Sequence, residues 1–64
     1  MNYTYKILIK ESKFIIEELL LGEVTTRYSL NKIIMIKNSP WRYWNEGALR
    51  TLKWLENNHP ELLL

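Results

Sequence analysis

The sequence predicts an α+β fold, a small antiparallel β-meander packed on one amphipathic C-terminal helix. Two stretches, 2–10 and 24–30, alternate apolar and polar residues with the period of two that a half-buried strand requires. Turn-forming pairs at Glu11-Ser12, Gly22-Glu23 and Asn31-Lys32 recur at roughly ten-residue spacing, as in a meander. The C-terminal third carries a helical period and all three tryptophans. A single domain covers residues 1–64, with a sheet-forming segment at 1–37, a helix at 39–58 and a tail at 59–64.

The first strand places Tyr3, Tyr5, Ile7 and Ile9 on one side and Thr4, Lys6 and Lys10 on the other. Lys13 to Leu21 supports two readings, because Phe14, Ile15 and Ile16 favour a strand while Glu17, Glu18 and the leucines favour a helix. Register supports the strand. Folding about Glu11-Ser12 sets Lys6 opposite Glu17, and folding about Gly22-Glu23 sets Glu18 opposite Arg27; both are opposite-charge pairs that stabilise neighbouring strands. Val24 to Leu30 alternates again and reads as a strand, and Ile33 to Ile36 is short and β-rich.

The alternative is an N-terminal strand followed by three helices, with Ser12 capping the first helix and Gly22 closing it. That order is similar to the strand, helix, helix order of ribbon-helix-helix repressors, but the alternation from Val24 to Leu30 contradicts it.

The final helix has two possible starts, Ser39 with Pro40 behind it or Asn45. Pro60 disfavours helical geometry in the residue before it, so the helix should end near Asn58. On a helical wheel Trp41, Trp44, Ala48, Leu52 and Leu55 form one stripe, expected to pack on Ile7, Ile9, Phe14 and Tyr28. Tyr43, Gly47, Arg50 and Trp54 form a second stripe, the candidate partner-binding surface unless a second core absorbs it. Tryptophan, tyrosine and arginine dominate binding hot spots, and a glycine lets another backbone approach. Leu8, Ile15, Leu19 and Ile34 cannot all face one helix, and this surplus asks for a second copy or another protein.

Catalysis finds little to work with. Cysteine is absent, which removes thiolate chemistry and disulfides, and the single histidine, His59, sits at the helix end. Glu56, His59 and Glu61 make a poor metal cage near a chain end, so no catalytic residue, metal or cofactor is expected. A net charge of +2 admits a second class of partner, nucleic acid, through Lys6, Lys10, Arg42 and Arg50 beside Tyr43 and Trp54. Interspersed glutamates dilute that signal, because phosphate binding favours a surface of one sign.

No signal peptide or membrane span is expected, since the longest apolar runs are far shorter than the roughly 20 residues a spanning helix needs. A cytoplasmic setting fits a chain without cysteine. The favoured residues Ile, Lys, Asn and Tyr mostly have AT-rich codons, as expected in a low-GC bacterium, a phage or another mobile element. The functional expectation is a non-enzymatic, protein-binding regulator that self-associates or inhibits a larger host complex.

Overall fold

The computed structural model describes residues 2–39 and 45–64. Three antiparallel strands, β1 (Tyr3–Lys10), β2 (Lys13–Leu20) and β3 (Glu23–Ser29), form a meander in the order β1-β2-β3. Two helices, α1 (Leu30–Asn38) and α2 (Glu46–Asn58), and a closing 3₁₀ turn (Pro60–Leu63) follow. The α+β class and the meander stand as the sequence suggested.

Residues 13–20, open to either reading from propensity, are the central strand, hydrogen-bonded on both sides. Its pairing with β1 sets Lys6 opposite Glu17, Ile7 opposite Ile16 and Ile9 opposite Phe14. Glu11 and Ser12 connect them with φ of 52° and 63°, the two left-handed residues of a tight hairpin.

The second hairpin departs from the expected register twice. Its turn lies one residue early, at Leu21 and Gly22, with φ of 54° and 83°. A bulge then leaves Thr25 without a cross-strand position: Leu19 pairs with Val24, but Glu18 pairs with Thr26. Arg27 consequently faces Glu17, not Glu18. The expected Glu18 pairing is corrected by these two local features, neither of which leaves a periodic trace.

The sheet ends at Ser29, so the sheet-forming segment expected over residues 1–37 is too long. Ile33 to Ile36 lies in α1, and Asn31-Lys32 is its first turn, not a hairpin. The Ser29 hydroxyl accepts a hydrogen bond from the Lys32 amide at 3.1 Å, a regular N-cap. Ile33 and Ile36, three residues apart, then fall on one buried face. Burial along that face outweighs the β-propensity of a four-residue run.

Asn45 has an extended backbone (φ −76°, ψ 163°), and its side chain accepts from the Ala48 amide at 2.8 Å. The last helix therefore begins at Glu46, the later of the two starts, and the expected continuous helix 39–58 is corrected to 46–58. Ser39 instead closes α1, its amide donating to the Ile36 carbonyl at 3.2 Å. Trp41, Arg42, Tyr43 and Trp44 lie outside the described residues.

Ile16, Ile33, Ile36, Ala48, Leu55 and Leu63 make the core, between one face of the sheet and the two helices. Leu52, Ile7 and Tyr28 pack against it as expected. Ile9 and Phe14 do not belong to it; at 72% and 38% exposure they sit at the first hairpin, beyond the helices. Leu63 is buried and Lys37 Nζ donates to its carbonyl at 3.5 Å, so the tail folds back onto the helices and leaves Leu64 exposed. No helix among the described residues is long and apolar enough to cross a membrane.

Candidate functional site: two faces of one sheet

Alternation gives the sheet two faces with different chemistry. The inner face carries Tyr3, Tyr5, Ile7 and Ile9 from β1, Phe14, Ile16, Glu18 and Leu20 from β2, and Thr26 and Tyr28 from β3. The α2 stripe singled out from sequence lies against it. A Cβ on Gly47 would come within 3.2 Å of the Tyr28 hydroxyl and 3.4 Å of Thr26 Cγ2, so the glycine lets the chain's own sheet approach. Trp54 stacks on Tyr5 with ring centroids 5.0 Å apart and planes 21° apart, and His59 tilts against Trp54 at 5.2 Å.

Arg50 joins the two elements through Glu18, a carboxylate with no solvent exposure. Its Nε and Nη2 each donate at 3.0 Å, one to either carboxylate oxygen, the two-pronged geometry in which a guanidinium fits a carboxylate best. Tyr5 donates to the same carboxylate at 2.8 Å and Thr25 at 3.3 Å. The bulge sets both Thr25 and Thr26 opposite Glu18, and it is the Thr25 hydroxyl that reaches the carboxylate. Arg50 also lies 3.9 Å above the Tyr3 ring, and Glu46 flanks it at 3.8 Å.

Burial pushes the Glu18 carboxyl pKa up, but hydrogen bonds from Arg50, Tyr5 and Thr25 and the Arg50 charge outweigh it, holding the group below the ordinary range. Burial, reinforced by the hydrogen bond to Glu18, raises Tyr5 well above the usual phenol value. The hydrogen bond to Glu18 raises Arg50. Each shift favours the forms present at neutral pH: carboxylate, neutral phenol and guanidinium. The cluster is an electrostatic clamp between sheet and helix, with its donors and acceptors already satisfied by one another.

No helix among the described residues packs on the outer face. From the first hairpin it presents four rows: Lys10 beside Lys13; Leu8, Ile15 and Ser29; Lys6, Glu17 and Arg27; then Thr4, Leu19 and Val24. Leu8 and Val24 are 39% and 41% exposed, while Leu19 and Glu17 on the central strand are buried, at 6% and 8%. Arg27 Nε donates to Glu17 at 2.7 Å. Leu8, Lys10, Ile15, Glu17 and Arg27 line a shallow groove of about 380 Å³. Among the described residues no carboxylate lies within 4.0 Å of Lys6, Lys10 or Lys13.

The four candidate nucleic-acid residues do not converge. Lys6 and Lys10 are on the outer face and Arg50 is on the inner side, clamped to Glu18; Arg42 lies outside the described residues. Gly47, Arg50 and Trp54 of the candidate partner site do converge, but on the chain's own sheet, and Tyr43 lies outside the described residues. Of the surplus apolar residues named from sequence, Leu8, Ile15 and Leu19 share the outer face, whereas Ile34 belongs to α1 and packs on the core. The sequence suggested Arg27 as the partner of Glu18, and the cue to Arg50 was small, a helix-borne arginine and a strand with two adjacent glutamates.

Glu61 Oε2 lies 3.4 Å from His59 Nδ1, and among the described residues no three His, Cys, Asp or Glu side chains converge as a metal site requires. Comparisons with protein families, with curated proteins and with solved structures find no match to this chain.

Proposed function

We propose that this chain is a non-enzymatic, protein-binding regulator that docks through the helix-free face of its sheet. One observation carries the reading: Leu8, Ile15, Leu19 and Val24 lie together on a sheet face that no described helix covers. A two-layer domain has one apolar interface to bury, and here the inner face already supplies it. A second apolar patch, rimmed by charge, is the usual mark of an interaction surface.

The bias to residues with AT-rich codons supports a phage or mobile-element setting and the lack of cysteine a cytoplasmic one, and a larger host complex is the target proposed. The α2 stripe plays the structural part of a second core, and its arginine and tryptophan are spent inside the molecule.

Affinity capture from a nuclease-treated lysate of the source cell, comparing the wild type with Leu8→Asp and Ile15→Asp, tests this. A defined protein retained by the wild type and lost with both variants is the expected result. Equal retention by all three chains would show that docking uses another surface. Nucleic acid is the second reading, because Lys6, Lys10 and Lys13 share the outer face. Phosphate contacts weaken steeply from about 50 to 200 mM salt, whereas an apolar protein contact changes little.

A further inference from the structure

The outer face also states what its partner carries, an inference that rests on that face being the docking surface. Its charges are four cations, Lys6, Lys10, Lys13 and Arg27, against one carboxylate, Glu17, which Arg27 already holds. Lys10 and Lys13 are direct cross-strand partners at the first hairpin, a like-charge juxtaposition that costs stability in the free domain. Lys6 is opposite Glu17 in register but outside ion-pair distance of it. Three ammonium groups have no carboxylate partner among the described residues, on a face whose rows alternate charged with apolar.

We infer that the occupant is a protein segment in which acidic residues alternate with apolar ones, the apolar side chains seated on Leu8, Ile15 and Val24 and the carboxylates on Lys6, Lys10 and Lys13. A second copy is disfavoured because two such faces would press excess cations together. A nucleic acid strand is disfavoured by the position of the rings. Tyr3, Tyr5, Phe14 and Tyr28 all belong to the inner face in register, so among the described residues of the sheet the outer face has no platform on which a base could stack.

Selection from a random-peptide display library against the intact chain provides the test. Enriched peptides should alternate Asp or Glu with Leu, Ile, Val or Phe. Their affinity should fall by about tenfold or more in Lys6→Glu/Lys10→Glu/Lys13→Glu and hold in Lys53→Glu, a charge reversal on exposed α2 surface. Lys10→Gln/Lys13→Gln, which relieves the like-charge pair, serves if the triple variant fails to fold by circular dichroism, and it too should weaken binding. Peptides of neutral or basic character whose binding is lost in Leu8→Asp would overturn the acidic partner and leave the docking face standing. Peptides indifferent to both the lysine and Leu8 variants would overturn both. Displacement of the peptides by a thymidine homopolymer that binds more tightly, or a dimer abolished by Leu8→Asp, would overturn the inference in favour of nucleic acid or a second copy.

Discussion

Ile15 and Ile16, and after them Glu17 and Glu18, are chemically matched neighbours on β2 that live on opposite faces of one sheet. Ile16 has no exposed surface and touches both helices' core, whereas Ile15 lies in the outer groove. Glu18 is sealed in and clamped by Arg50, Tyr5 and Thr25; Glu17 meets one arginine whose side chain is 63% exposed. The same residue type one position apart thus does two jobs, and the pleat alone assigns them. The inner face holds the molecule together and the outer face is left to act.

The largest effects should separate the isoleucines. Ile16→Ala should cost about 2–5 kcal/mol, against a total stability of about 3–10 kcal/mol for a chain of this size. Urea unfolding should find it largely unfolded, while Ile15→Ala loses about 1 kcal/mol. Equal losses would mean that the outer face is packed too.

The glutamates come next. Glu18→Gln should cost about 3 kcal/mol, because it breaks a buried pair and strands its partners, whereas Glu17→Gln should cost under about 1 kcal/mol. Their pH profiles should differ as well. The folded Glu18 pKa is depressed, so its contribution is fully present above the unfolded glutamate value of about 4.3 and drains away as pH falls through the lower folded value. Tyr5 is raised, so its contribution is present below about 10 and is lost as pH rises through the higher folded value. Stability of the wild type should therefore decline at both extremes, and Glu18→Gln should flatten the acid limb and reduce the alkaline one, which burial of Tyr5 partly maintains; an unchanged profile would remove the clamp from the account.

Two smaller changes should stabilise. Leu21 is 92% exposed and left-handed, a conformation that costs a branched residue about 1 kcal/mol, and Leu21→Asn would create an Asn-Gly hairpin turn. Thermal unfolding should show a gain of about 0.5–1 kcal/mol. Thr26 Oγ1 is buried without a hydrogen-bond partner among the described residues. Thr26→Val should gain about 0.5–1 kcal/mol by removing it.

These pairs also show where the sequence was legible. Strict alternation revealed β1 and the first hairpin, and the Lys6-Glu17 pairing followed from a turn placed correctly. Pro60 marked the end of α2, and Asn45, one of two possible caps, its start. The second hairpin was not legible, because a leucine in a left-handed turn and a bulged threonine obey no period, and together they move Arg27 from Glu18 to Glu17. The apolar residues of α1 read as β-rich because propensity is local, while their burial comes from contact with the sheet, α2 and the tail. The α2 stripe was visible as an amphipathic surface, but no wheel says whether a partner or the chain's own sheet will cover it. Its described ring, Trp54, went inward, and the smaller surplus of Leu8, Ile15 and Val24 stayed out.

The most direct test of this division needs no partner. Methyl NMR of the monomer with a soluble paramagnetic chelate reads how closely solvent approaches each side chain. Strong broadening is expected at Leu8, Ile15 and Val24, with Ile16, Ile33 and Leu55 untouched. Protected outer methyls beside a strongly broadened Trp54 indole would contradict it, by showing that the covered and the open faces have been assigned the wrong way round.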